Sequence, residues 1–156
     1  MTEARIGGGG LTSPHLTAAT DAERVAMVDR YLAEHPNGVM LLELKYDDSR
    51  SWREQMRDVD HREYMQVGVA DDYAAAQFVR LGLKHPNPVI HATHNPHPLP
   101  SAPRVPYDQE LSWYFPAENV ISQAEVRQLM IDFVLTGEWS HAVPWRDHEN
   151  MVHAGK

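Results

Sequence analysis

Four of the ten histidines in this 156-residue chain crowd together as His85, His91, His94 and His97. His91-x-x-His94-x-x-His97 offers three imidazoles, a ligand set that can hold zinc and leave one position open for a reactive water. The chemistry implied would be that of a metal-dependent hydrolase. The setting works against it. Ligands three apart converge on a helical turn, whereas Pro86, Pro88, Pro96, Pro98, Pro100, Pro103 and Pro106 fill this stretch and no helix survives that density. No carboxylate stands close enough in sequence to orient an imidazole, Asp108 being the first after the loop. A solvated, proline-rich loop explains the same residues. The metal site at His91, His94 and His97 therefore stands as an alternative, and the expectation is no metal and no other cofactor.

Other catalytic arrangements are weaker still. Ser101, Ser112 and Ser140 lack the glycine-flanked elbow of a nucleophilic serine. Gly7-Gly8-Gly9-Gly10 has no Gly-Lys-Ser/Thr ending and no apolar strand before it, so it reads as a linker rather than a phosphate loop. Asp47-Asp48 and Asp71-Asp72 occupy turn-like positions, where aspartate is favoured for local backbone reasons. The chain has no cysteine, which excludes disulfides, thiolate metal sites and thiol nucleophiles. An enzyme is not expected. The tryptophans Trp52, Trp113, Trp139 and Trp145 are core residues by default. Trp139 differs in following a helix end beside Glu138, where an exposed indole among acids suits an interface anchor.

Charge narrows the partners. The formal net charge is −8, which argues against binding a phosphate backbone and suits a basic protein partner. The excess is uneven. Asp108, Glu110, Glu118, Glu125, Asp132, Glu138, Asp147 and Glu149 face only Arg127 and Arg146 over the C-terminal stretch. Residues 43–72 instead mix acids with Lys45, Arg50, Arg53, Arg57 and Arg62, as a solvated segment does. No apolar run approaches the ~20 residues of a membrane helix, and the start has no signal-peptide core. A cytoplasmic protein is expected, monomeric or weakly dimeric, with neither membrane nor nucleic acid as partner.

The elements that would carry these residues follow from pattern. Residues 1–19 read as a flexible leader, residues 20–150 as one domain and residues 151–156 as a tail. Thr20 and Glu23 have capping-box spacing ahead of Val25, Val28, Tyr31 and Leu32, and Pro36-Asn37-Gly38 stops that helix. Val39–Tyr46 and Tyr64–Val69 read as strands. Residues 47–62, with Trp52 and Met56, fit a short helix or an ordered loop. A turn at Asp71-Asp72 makes Tyr73–Leu83 the return arm of a hairpin, although its alanines also suit a helix. Val89–Ala92 and Trp113–Phe115 are short extended pieces. Ser122 and Glu125 cap a second helix with the stripe Val126, Leu129, Met130, Phe133 and Val134, ended by Thr136-Gly137. Ala142–Trp145 reads as a last strand. Strands without regular helical crossovers predict an α+β domain: a mainly antiparallel sheet packed with two or three helices.

Trp113-Tyr114-Phe115-Pro116, then Val120-Ile121-Ser122, then Phe133-Val134-Leu135-Thr136-Gly137, then Val143-Pro144-Trp145 form an ordered series. It resembles the first-numbered immunity-protein family of bacterial polymorphic toxin systems, and His94-Asn95-Pro96-His97-Pro98 is similar to actinobacterial members. The resemblance covers residues 94–146. It departs at Trp139-Ser140-His141, where members often carry an Arg-Pro turn, and at Pro144, where many carry an acid. It implies an antitoxin that occludes a cognate bacterial toxin, most often a nucleic-acid deaminase. Phe115, Pro116, Phe133, Thr136, Gly137, Val143 and Trp145 carry the family pattern and look structural. For toxin contact the candidates are Glu110, Glu138, Trp139, Asp147 and Glu149, with Asp71 and Asp72 beside them. Another reading is an adaptor that presents residues 96–106 to a partner, through Pro100-Ser101-Ala102-Pro103 in an extended form.

Overall fold

Thr20 and Ser122 start the two helices of the described chain, each through a reciprocal capping box. Thr20 accepts from the Glu23 N–H and Ser122 from the Glu125 N–H, while each glutamate reaches back to the cap. The first helix, α1, runs Asp21–Glu34 and the second, α2, Gln123–Thr136. The structure is a computed structural model and describes residues 3–8, 15–45, 62–81, 89–147 and 152–153. Tyr46, the segment 47–61, Gly82, Leu83 and Glu149 lie outside them.

The strands are β1 Glu3–Gly7, β2 His15–Ala18, β3 Asn37–Lys45, β4 Arg62–Ala70, β5 Tyr73–Leu81 and β6 Val89–Thr93. After them come β7 Pro106–Asp108, β8 Trp113–Tyr114, β9 Ile121–Ser122, β10 Trp145–Asp147 and β11 Val152–His153. Eight strands make one antiparallel sheet in the order β10-β6-β5-β4-β3-β1-β2, with β9 also paired to β5. β7, β8 and β11 form a small second sheet. The α+β class with a mainly antiparallel sheet is what the structure shows.

Alternation along the strands divides the sheet into two faces. Ile6, Met40, Leu42, Met65, Val67, Val69 and Phe78 turn to one face and pack against Val28, Leu32, Val126, Leu129 and Phe133 of the helices. Arg24 is buried in this layer and donates from Nη1 to the Val134 carbonyl at 2.8 Å, taking up one of the free acceptors at the end of α2. Arg127 and Asp29 pair α2 with α1 across the outside, through Nε–Oδ1 at 2.5 Å and Nη2–Oδ2 at 2.9 Å.

The opposite face is covered by the chain from Ala102 to Val120, where Val105, Phe115 and Val120 pack on Ala70 and Ala75. The approach is close enough to require glycine at Gly68: a Cβ there would meet the Pro106 carbonyl at 2.0 Å. Gln66 donates to the Tyr107 carbonyl at 2.6 Å, and Gln77 hydrogen-bonds the Tyr107 phenol, whose pKa burial nonetheless raises.

Several expectations need correcting. Residues 3–7 and 15–18, read as leader, are sheet strands: Ala4 and Ile6 are fully buried and pair with Leu44 and Leu42 of β3. Two apolar residues at alternate positions are enough for a strand when a neighbour supplies the ladder. The expected tail likewise gives β11, which pairs with β8. The strand expected at Ala142–Trp145 is β10, which begins only at Trp145, because Pro144 has no N–H to donate to a ladder and its carbonyl is used by the His94 N–H. The hairpin reading of the Asp71-Asp72 turn, by contrast, is what the structure shows: Tyr73–Leu81 is its return strand, and Ala74 and Ala76 are buried in the core with the helices.

Candidate functional site

The hairpin of β4 and β5 sets the geometry. Its two-residue turn, Asp71-Asp72, puts Asp71 at φ 54, a left-handed conformation that aspartate tolerates better than most residues. With that turn fixed, Glu63 stands opposite Arg80 at the far end. Arg80 Nη2 lies 2.8 Å from Glu63 Oε1 and 3.0 Å from Glu138 Oε1. Hydrogen bonding to Glu63 and then to Glu138 raises the Arg80 pKa above its ordinary value, against the opposing effect of burial.

Glu138 reaches this point because α2 ends there. Gly137 takes φ 77 and its N–H bonds the Phe133 carbonyl at 2.7 Å, the left-handed stop that turns the chain across the sheet edge. Thr136 donates to the Asp132 carbonyl at 2.6 Å and accepts from the Glu138 N–H, which tightens the exit. Trp139 then lands on Phe78 and His91, edge to face, with centroids 4.9 Å and 5.2 Å away. Phe133 approaches Phe78 from beneath at 6.0 Å.

The other wall is built by the returning chain. Val143 is buried, Trp145 pairs in register with Thr93, and Asp147 pairs with His91. The Trp145 indole donates to the Ser140 carbonyl at 2.6 Å, and Ser140 Oγ accepts from the Ala142 N–H. His91 Nδ1 lies 3.1 Å from Asp147 Oδ1, off the direction of a hydrogen bond. Between the walls lies an open groove of about 490 Å³, lined by His91, Trp139, His141, Val143, Pro144 and Trp145 among others.

The strand β6 is held in place by a buried polar knot. Thr93 Oγ1 accepts from the Ala76 N–H and donates to the Asn119 carbonyl at 2.7 Å. Asn119 Nδ2 returns a bond to the Thr93 carbonyl, and the Asn95 N–H bonds the Glu118 carbonyl. The short 3-10 turn Ala117–Asn119, entered from Pro116, is thereby clamped to the sheet beside buried Phe115.

The candidate contact residues separate into two groups. Glu138, Trp139 and Asp147 lie at the same end of the sheet, Glu138 on Arg80 and the other two on His91. Asp71 and Asp72 are at the opposite end and are bonded locally there: the Asp71 N–H donates to the Pro36 carbonyl and the Asp71 carboxylate accepts from Asn37 Nδ2, while the Asp72 carbonyl accepts from the Gln123 N–H. Glu110 lies in the exposed turn after β7, next to Gln109, which borders Gly38 at that same end. Glu149 is outside the described residues.

The three loop histidines do not converge. His91 is in β6 against Trp139, His94 follows the strand, and His97 is exposed in a turn where its N–H bonds Asn95. Among the described residues no group of three histidines or carboxylates is placed to hold a metal ion. Pro100-Ser101-Ala102-Pro103 is not extended either: the Ala102 N–H closes a turn onto the Leu99 carbonyl, and Ala102 packs against the sheet. Sequence reasoning missed Arg80 and Glu63. Counting outward from the Asp71-Asp72 turn pairs them directly, so the signal was present in the register.

A family model described as Immunity protein Imm1 matches residues 14–147. No curated protein and no solved structure matches the chain.

Proposed function

This chain belongs to the Imm1 family of immunity proteins, and from that membership we infer that it binds a cognate toxin, a nucleic-acid deaminase, and blocks it by occlusion. The inhibitor acts in the cytoplasm of the cell that makes it, binds one toxin per chain and performs no chemistry of its own. The observation that carries the reading is a preformed groove lined by His91, Trp139 and Trp145, with Asp147 beside His91 and Glu138 next to Trp139 in the chain, on Arg80. A deaminase must attract nucleic acid, so its active-site approach is basic, and carboxylates on an inhibitor answer that charge. The net charge of −8 supports the same pairing over longer range. A half-buried tryptophan at the centre of such a rim is the side-chain type that most often anchors an interface.

The experiment is a titration of the toxin domain encoded beside this gene against the purified chain, reading deaminase activity on a nucleic-acid substrate. Inhibition that saturates near one equivalent, with no effect on an unrelated toxin, is the expected result. Full activity with several equivalents present, and no complex at micromolar concentration, would remove the reading for that pair.

A further inference from the structure

We propose that the groove between Trp139 and Trp145 receives one arginine side chain of the toxin, held between the indoles and the carboxylates of Glu138 and Asp147. The proposal rests on the immunity reading and names what the site recognises. Three features select a guanidinium. Two indoles offer aromatic surface, which attracts a cation held against it. Two carboxylates stand next to lining residues, Asp147 beside His91 and Glu138 next to Trp139 in the chain, with side chains 90% and 61% exposed, so both can turn to an incoming charge. Arg80 already has two carboxylates, Glu63 and Glu138, on its nitrogens, and Arg146 is in register with Ala92 and so falls on the other face of the sheet.

The protein itself shows that this surface suits the ligand. Arg80 is held by the same chemistry immediately behind the groove: its Cζ stands 5.2 Å from the Phe78 centroid and 6.0 Å from that of Trp139, with Glu63 and Glu138 on its nitrogens. A second guanidinium meeting Glu138 from outside would complete an alternation of cation and carboxylate. Planar, bidentate pairing favours arginine over lysine at such a place. The walls are also set in advance. The Trp145 indole is tied to Ser140, Ser140 to Ala142, and Pro144 to His94, so an arriving side chain does not have to order them.

The test uses the full-length chain and the neighbouring toxin domain in calorimetric titrations. Asp147→Lys and Trp139→Ala should each weaken binding by about 30-fold or more. Glu34→Gln, exposed at the end of α1, should stay within about threefold. Because Trp139 also packs on Phe78, Asp147→Lys is the deciding variant if Trp139→Ala unfolds. Single Arg→Ala changes in the toxin are then combined with Asp147→Asn in a double-mutant cycle. One arginine should cost at least about tenfold against the native chain and under about threefold against Asp147→Asn. If the native chain binds but Asp147→Lys leaves affinity unchanged, or if only a lysine or no cation couples to Asp147, the arginine site is wrong while the immunity reading stands. If the native chain neither binds nor inhibits the toxin, both fall together.

Discussion

Gly68 and Asp29 show how single positions carry very different loads. At Gly68 the constraint is space, because the Pro106 carbonyl occupies the volume that any side chain would need. The obstacle is backbone, held by Gln66 and by the packing of Val105, and it cannot swing aside. Gly68→Ala should therefore destabilise the fold by about 3 kcal/mol, read as a lower urea midpoint. At Asp29 the constraint is charge. The hydrogen bonds and charge of Arg127 hold the Asp29 carboxyl below its ordinary pKa. A depressed folded value means that its stabilisation is complete above the unfolded pKa of ~3.9 and disappears as pH falls through the lower folded value. Asp29→Asn should lower Tm near neutral pH and flatten the loss of Tm below about pH 4. Both partners are roughly half exposed, so the effect is small and a parallel curve for the two proteins would show the pair to be inert.

At the scale of elements, the groove depends on β6 being locked between β5 and the segment leading into α2. Thr93 makes the lock: its hydroxyl replaces a strand partner for the Ala76 N–H and also satisfies the Asn119 carbonyl. Thr93→Val keeps the shape and strands two buried groups, which should cost about 2 kcal/mol. The local signature is faster amide exchange at Ala76 and Asn119 than the global loss of stability explains. The two capping boxes, the glycine stop at Gly137 and the hairpin turn were all legible from spacing, since each rests on residues within four positions of one another. The N-terminal strands were not. β1 is paired by β3, more than thirty residues away, β2 is paired in turn by β1, and the glycines beside β1 mask the short alternation of Ala4 and Ile6.

At the scale of the molecule, charge and shape act over different distances. The net charge of −8 works across nanometres and speeds encounter with a basic partner, whereas the groove acts only on contact. Raising salt from about 50 to 500 mM should then slow association with the toxin by about tenfold and change dissociation little. Stopped-flow mixing separates the two rates, and an association rate indifferent to salt would show that the acidic surface does not steer. Among the described residues no helix is long and apolar enough to cross a membrane.

The chain by itself determined the α+β class, both helices with their caps, the central hairpin and the family pattern, because periodicity, capping and turn chemistry are local. It also determined the absence of thiol chemistry and the sign of the surface charge. Tertiary structure alone decided which candidates meet. Glu138 is brought to Arg80 and Trp139 to His91 by the glycine stop after α2, and Asp147 to His91 by the β6–β10 pairing. Asp71 and Asp72, equally acidic, are carried to the opposite end of the sheet by strands nine residues long. The physical reason is that a side chain's type is written in one residue, while its neighbours depend on the register of strands distant in sequence and on what packs across their two faces.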